Sequence, residues 1–435
     1  MMSEESKGTR SLEQLPLELI QLILTELPDV SNLKSAALTG PCLYYAFMGA
    51  EVLITKEVLL RQIHTDLLHD ALAEISSRRD TWTAEEAEVF LAQYFSRSQQ
   101  PFHPSLQWKL SQALLLCRLY SLIELFTVDL TTPVLAGNPV SKDPESGPSP
   151  RPLSQTEKNR IIRNFYRFQI YCNIFRDESP PISVYRQRKS YFAHFAPWEN
   201  EQLACIHDYL LNIITPGSTS LPFQVYVTHQ CSNNQTVVKE VAESSRDWVL
   251  YFEEEGNGFD EGTMQYHLSL GLAHIRQFSN ANTPQERHDL LAPSVNRYSI
   301  PYFLARGLDE SNFGREPLFT LNSDEADRCI FNEWYSETDS GPEDVWWWSH
   351  YGQPEYEFVH SPSQAPLRQW SYVMWDRARL DEWGVFKKPW DGIVDENEYA
   401  EQERSQLAEE RRIIETRFRD MLLDFERYGF WFYDS

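Results

Sequence analysis

The stretch LPLELIQLILTELPDV runs from Leu15 to Val30 and decides how the N-terminal part of the chain folds. Pro16 suits a first helical turn, and Pro28 ends the helix, because a proline ring cannot continue one. The apolar side chains between them cover about 220° of the helical wheel, whereas a surface helix needs only about 100°. They are Leu15, Leu17, Leu19, Ile20, Leu22, Ile23, Leu24 and Leu27. The apolar arc beyond 100° indicates either a helix buried on most sides or a helix whose second face contacts a partner.

Residues 29–50 predict two further short helices. Asp29 and Ser31 are candidate N-caps for the first of them, whose apolar stripe is Leu33, Ala36, Ala37 and Leu38. Gly40-Pro41 then breaks the chain before a third element with Leu43, Tyr44 and Phe47. The N-terminal part is therefore predicted as three short helices in succession.

These residues resemble an F-box in their order and spacing. The resemblance is carried by Leu15-Pro16, Glu18-Leu19, Ile23-Leu24, Leu27-Pro28, Leu33 and Leu38-Thr39. The closing CLYYAF, residues 42–47, is similar to the variant found in fungal F-box proteins, although Tyr44-Tyr45 stand where many F-boxes place a tryptophan. The resemblance covers about 45 of the 435 residues.

The resemblance implies a three-helix module that docks on a Skp-type adaptor, which sits on a cullin scaffold carrying a RING protein. The rest of the chain would recruit the protein to be ubiquitinated. Such a receptor has no catalytic residue and no cofactor, because its RING and E2 partners perform the transfer. The adaptor contact carried over by the resemblance comprises Leu15, Pro16, Leu19, Ile20, Ile23 and Leu24.

The amino-acid composition limits which other classes of function the chain could have. With 64 acidic and 39 basic side chains the net charge is -25, which argues against a nucleic-acid partner because phosphate binding relies on Lys and Arg. No apolar run approaches the length that crosses a membrane. The six cysteines are widely spaced, which is typical of reduced thiols and of a cytoplasmic or nuclear protein.

Helical periodicity continues through most of the chain, so the predicted fold class is mostly α, with room for a few short strands near 223–230 and 247–252. Residues 131–155 hold six prolines and predict a flexible linker, after which the C-terminal part is expected to fold on its own. The predicted divisions are an F-box at 11–55, a helical neck at 56–130, the linker at 131–155 and a helical C-terminal domain at 156–435.

Three local patterns support the helical prediction. Thr83 followed by Glu86 indicates a capping box. One apolar stripe after Thr156 comprises Ile161, Phe165, Phe168, Cys172 and Phe175. A last helix at about 396–428 is predicted to present Leu407, Ile414, Phe418, Met421 and Phe425.

Motifs for catalysis and metal binding are absent from the sequence. None of the 11 histidines is followed by Glu, no two cysteines lie within 25 residues, and no Gly precedes Lys. Cys205 and His207 are two residues apart, which favours ordinary packing. His267 and His274 share a helical face and could bind a metal, but no carboxylate completes the spacing, so no metal site is predicted.

The C-terminal half is rich in tryptophan. Trp346-Trp347-Trp348 precede QWSYVMWDRARLDEW, which is predicted to form one helix and resembles a stretch near the C-terminus of fungal F-box proteins. One interpretation is a tryptophan-rich core in which Arg377 or Arg379 pairs with Asp376 or Asp381. The other is a partner-binding groove of Trp347, Trp370, Trp375 and Arg377, because Trp and Arg are frequent hot-spot residues.

The resemblance therefore leads to a substrate-recruiting subunit of an SCF-type ubiquitin ligase as the predicted function. Two alternatives stay open. The F-box-like module could serve a protein-interaction role outside a ligase, or residues far apart in sequence could assemble an enzyme site in space.

Overall fold

A computed structural model describes residues 14–96, 107–140, 151–176, 180–214, 261–281, 283–291, 303–309, 311, 338–350 and 364–390. Within these residues 78% are helical, in 17 α-helices and a few short 3-10 turns and without a strand, which confirms the mostly-α class. The two predicted strands and the predicted helix at 396–428 lie outside the described residues. None of the described helices is long and apolar enough to span a membrane.

Seven helices begin before the predicted linker. They are α1 (Leu17–Thr25), α2 (Val30–Thr39), α3 (Pro41–Gly49), α4 (Glu51–Gln62), α5 (Leu68–Ser77), α6 (Ala84–Phe95) and α7 (Leu110–Leu135). Ten follow it. They are α8 (Gln155–Phe175), α9 (Val184–Ser190), α10 (Pro197–Ile214), α11 (Glu261–Ser269), α12 (Leu272–Asn280), α13 (Pro284–Leu291), α14 (Phe303–Asp309), α15 (Gly341–His350), α16 (Ala365–Arg368) and α17 (Arg377–Trp383).

The three predicted N-terminal helices are α1, α2 and α3, and local caps set their ends. The Asp29 carboxylate accepts a hydrogen bond from Asn32 N at 2.7 Å and so caps α2. Helix α1 packs against α3 and α4, and Gln21 Nε2 donates to Ala46 O of α3 at 3.0 Å. The side chain of Arg61 on α4 donates to Thr25 O and Leu27 O, so α4 satisfies carbonyls that the end of α1 leaves open.

The bounds predicted for the linker, 131–155, differ from the observed helix ends on both sides. Helix α7 continues through Pro133 to Leu135, and its buried face extends through Leu130 and Val134. A proline in the last turn removes only one helical hydrogen bond, and the packing of that face outweighs the loss. At the other end, α8 begins at Gln155 behind a capping box formed by Ser154 and Glu157. The other predicted capping box, Thr83 with Glu86, is confirmed at the start of α6.

Helix α8 is the centre of the larger core, and it joins the parts of the chain on either side of the linker. It packs against α5, α7 and α10, and the five residues of its predicted apolar stripe are buried. The ring of Phe165 stacks on Phe126 of α7 at 5.8 Å between centroids. Trp82, which precedes α6, donates through Nε1 to Asn173 O at the other end of α8. One hydrophobic core therefore runs from the N-terminal helices to the C-terminal part.

This shared core changes the result that we expect from a fragment that starts near the predicted domain boundary. A fragment of residues 151–435 keeps the α8 capping box but exposes the side of α8 that contacts α5 and α7. We expect it to bind a hydrophobic dye and to lack the cooperative thermal transition of the full chain, measured by circular dichroism. Cooperative unfolding near the transition temperature of the full chain would instead support a separate C-terminal domain.

Candidate functional site

Exposed apolar side chains concentrate in the first four helices. Among the residues that the structure describes, sixteen large apolar side chains are exposed, and ten of them lie between residues 17 and 53. The ten are Leu17, Leu19, Leu22, Ile23, Leu38, Tyr44, Tyr45, Met48, Val52 and Leu53. Single exposed leucines are ordinary on a protein surface, whereas such a concentration marks a candidate interaction surface.

Helix α1 divides its apolar residues between the core and the surface. Ile20 and Leu24 are 2% and 1% exposed and fix the helix on α3 and α4. Leu19, Leu22 and Ile23 point away from them and are 44–56% exposed. We call these three residues the apolar face of α1. The surplus apolar arc seen in the sequence is therefore a surface, and the interpretation of α1 as a helix buried on most sides is wrong.

The predicted contact residues fall into two groups. Pro16, Leu19 and Ile23 are exposed, and Leu15 is half-buried against the core. Ile20 and Leu24 are buried, so their assignment to a contact surface is corrected: they anchor α1 and cannot reach a partner while the module is folded. The motif includes these two residues because it covers both the packing side and the outer side of the helix.

A second apolar patch, for which the F-box resemblance implies no role, lies where α3 meets α4. Tyr45 and Met48 lie opposite the buried Ala46 and Phe47 on α3 and are 71% and 50% exposed. After Ala50, which alone separates the two helices, Val52 and Leu53 continue the exposed apolar surface into α4. The signal available in the sequence was the apolar run on both sides of Ala50, outside the part of the motif that was carried over.

The predicted groove of Trp347, Trp370, Trp375 and Arg377 does not form. Trp375 and Trp370 are buried in the core, and Trp347 is half-buried against it. The guanidinium of Arg377 lies in ion pairs with Asp344 at 2.7 Å and Asp381 at 3.0 Å. The tryptophan-rich core, which was the competing interpretation, describes this region, with Arg377 paired to Asp381 as expected there.

The tryptophan-rich segment is also not the single helix that its periodicity predicted. Ser371 adopts a left-handed conformation with φ 53°, and only a 3-10 turn, Tyr372–Met374, separates it from the approach to α17. Distant side chains bind the carbonyls that a helix would have used: Arg160 Nη1 donates to Met374 O at 2.5 Å, and Gln202 Nε2 donates to Val373 O at 3.1 Å. Tertiary hydrogen bonds therefore override the local preference.

A buried carboxylate, Glu157, joins this segment to α8. Its Oε1 accepts from Asp376 N at 3.1 Å and Arg379 Nε at 2.7 Å. Its Oε2 accepts from Ser154 N at 2.9 Å and Arg379 Nη2 at 2.7 Å. Because Glu157 and Arg379 are 1% and 2% exposed, this charge is balanced and hydrogen-bonded inside the core.

A second buried arginine makes an equivalent connection to α10. Arg368 lies 3.2 Å from Glu201 and 2.6 Å from Asp208 in ion pairs. Burial alone would lower the pKa of Arg368, but the two carboxylates raise it above its usual range. The described C-terminal elements are thus attached to α8 and α10 through the buried guanidinium groups of Arg379 and Arg368, which gives these two side chains a structural role.

Titratable groups in the described residues form no metal centre. No group of three or more His, Cys, Asp or Glu side chains is placed to hold a metal ion in the described part of the chain. His267 Nδ1 and His274 Nε2 lie 2.8 Å apart with their rings stacked, so the pair is occupied by its own hydrogen bond. Burial raises the pKa of the Cys205 thiol well above its ordinary value, and His207 bonds to Gln265 and Asp208 instead.

Comparison with known proteins adds no relative: no protein-family model, characterised protein or solved structure matches the chain.

The two arginines of α17 provide a matched test of the buried network. Replacing Arg379 by Met leaves the buried Glu157 carboxylate without its cation, so we expect the free energy of unfolding to fall by about 3–5 kcal/mol in urea denaturation. Replacing Arg377 by Met removes an ion pair at a side chain that is 40% exposed, and we expect about 1 kcal/mol or less. Equal losses in the two variants would contradict the structural role of the Glu157 carboxylate.

Buried histidines predict that the protein loses stability in mild acid. Burial lowers the pKa of both His267 and His350 to about 4, and it also lowers the pKa of His274. In the unfolded chain each of these histidines takes up a proton near the ordinary histidine pKa of 6.5. In the folded chain it stays neutral until the pH falls below that value. Stability is therefore complete above pH 6.5 and falls as the pH drops toward 4, by roughly 2.5 kcal/mol at pH 4.5 for each of the first two groups.

Urea denaturation between pH 7.5 and 4.5 measures this loss. Carboxylates with lowered pKa values, such as Glu51 and Glu86, lose their contribution only below their ordinary pKa of 4.5 and do not interfere. A His267→Gln variant should show a shallower pH dependence than the unmodified protein. A free energy of unfolding that stays constant across this range would contradict the prediction.

Proposed function

We propose that the chain is an F-box-type receptor that docks on a Skp-type adaptor through the apolar face of α1 and recruits a protein substrate to a cullin–RING ubiquitin ligase. The observation that carries the proposal is the exposure of Leu19, Leu22 and Ile23 on a helix already anchored by Ile20 and Leu24. The module does not need these three side chains for its own packing, so they are available to a partner.

Two further features support the proposal. The three helices α1, α2 and α3 follow one another in the order that the F-box resemblance implies. The patch of Tyr45, Met48, Val52 and Leu53 on α3 and α4, which pack with α1, enlarges the apolar area available for docking. Of these side chains, Tyr45 and Met48 belong to the aromatic and methionine residues that are enriched at protein interfaces.

In this proposal the remainder of the chain holds the substrate, and the ubiquitin transfer is performed by the RING and E2 partners. The receptor itself is then not an enzyme and needs no cofactor. The ligase works in the cytoplasm, the nucleus or both. The Glu157 and Arg368 networks would hold the C-terminal part in one arrangement, so that a substrate is presented in a defined position relative to the adaptor.

The test changes two residues of the apolar face that do not pack in the core. We expect a Leu19→Ala, Ile23→Ala double variant to bind a purified Skp-type adaptor at least about 30-fold more weakly in calorimetry, since two truncated contacts cost about 2 kcal/mol together. The melting temperature should change little, because both side chains are exposed. A Val89→Ala variant on α6, where Val89 is 52% exposed, is the matched control and should bind like the unmodified protein.

Adaptor binding that is equal in the double variant and the control would place the contact elsewhere. The ligase role is tested separately, by asking whether a cullin co-purifies with the adaptor and the full chain. Adaptor without cullin would support the alternative in which the module works outside a ligase.

A further inference from the structure

The side of helix α7 that faces away from the core carries exposed apolar side chains. The inner side of the helix, with Leu116 and Ile123, is buried. On the outer side Leu115 and Leu125 are 46% and 48% exposed, and Leu122, which lies between them, is half-buried. These three leucines follow one line along the helix, so they form a continuous apolar surface.

The spacing along this line is typical of a helix that packs against another helix. The positions recur at alternating steps of three and four residues, as in the seam of a two-stranded coiled coil. They are Leu115, Arg118, Leu122, Leu125, Asp129 and Thr132. We call these six residues the α7 seam. Five of them are exposed, and Leu122 is the half-buried one.

The two charged residues of the α7 seam indicate which partner fits it. Arg118 precedes Leu122 by four positions, and Asp129 follows Leu125 by four positions. An antiparallel register that places Leu122 opposite Leu125 of a second copy therefore also places Arg118 opposite Asp129 of that copy. By the two-fold symmetry of such a pair, each of these contacts is made twice. The seam is thus complementary to itself in both apolarity and charge.

We infer that α7 is a homodimer interface, in which two copies of the chain pack their α7 seams antiparallel around a two-fold axis. Parallel packing would place Arg118 against Arg118 and Asp129 against Asp129, and a shift of one heptad would place one of these charges against a leucine. Within the chain Asp129 Oδ2 pairs with Arg276 at 3.2 Å, and Oδ1 can accept from the second copy because this side chain is 51% exposed.

The α7 seam shares no residue with the apolar face of α1, so the inference does not rest on the proposed adaptor contact. The central part of the seam is short, and self-association is therefore expected in the micromolar range. Sedimentation velocity of the full chain at about 1 to 100 µM should show a mass that rises from that of one chain to that of two.

A charge in the middle of the seam should prevent this association. We expect a Leu125→Glu variant to stay at the mass of one chain over the whole concentration range, because the new carboxylate would lie against Leu122 of the other copy. A Val89→Glu variant adds the same charge at a side chain on α6 that is 52% exposed. It is the matched control and should dimerise like the unmodified protein.

Two charge reversals test the register. The Arg118→Asp variant and the Asp129→Arg variant each place like charges opposite one another at both symmetry-related positions, so each alone should dimerise at least about tenfold more weakly. An equimolar mixture of the two variants brings opposite charges together again at both positions. We expect the mixture to dimerise like the unmodified protein, and this recovery would also show that both variants are folded.

Four outcomes would overturn the inference. A mass of one chain at every concentration would show that the α7 seam binds no second copy. Association that persists in the Leu125→Glu variant would place the contact elsewhere. Association that is lost instead in the Leu19→Ala, Ile23→Ala variant would identify the apolar face of α1 as the contact. A mixture of the charge variants that stays monomeric would contradict the antiparallel register.

Discussion

The described structure depends on the four hydrogen bonds that converge on the Glu157 carboxylate. Through them the first turn of α8 is capped, the approach to α17 is held, and the charge of Arg379 is neutralised far from water. The residues joined in this way are about 220 positions apart along the chain. Because α8 also packs against α5, α7 and α10, an interaction at its first turn positions the helices of most of the core.

The part around α8 and α10 buries charged side chains, whereas the part around α1, α3 and α4 exposes apolar ones. Around α8 and α10, arginines and carboxylates are buried and matched with one another, as in the pair of Arg167 and Glu199 at 2.8 Å. Around α1, α3 and α4, apolar side chains face outward without packing against another described element. Buried pairs add little net stability but penalise every arrangement that separates them. The inner network therefore serves to specify one fold, whereas the outer surface is suited to binding.

Local patterns predicted much of the fold, and interactions between distant residues account for the errors. The helix at α1, the capping box at Thr83 and the stripe on α8 depend on residues within a few turns, so their sequence was sufficient. The tryptophan-rich segment failed because Arg160 and Gln202 bind its carbonyls from more than 170 positions away. For the candidate site, the helical periodicity of the sequence revealed that α1 has more apolar residues than one packing face needs. It could not tell that Ile20 and Leu24 face inward, because this direction is set by α3 and α4.

The contacts of α4 have a mechanical consequence. At one end its Arg61 holds the carbonyls at the end of α1, and Gln62 Oε1 accepts from Val30 N at the start of α2. At the other end Glu51 accepts hydrogen bonds from Lys109 Nζ and Leu110 N at the start of α7. Cys117 Sγ of α7 also donates to Gln62 Oε1, so both ends of α4 are bonded to α7. A protein bound to α1 would therefore turn together with the main body of the molecule rather than about a hinge at α4.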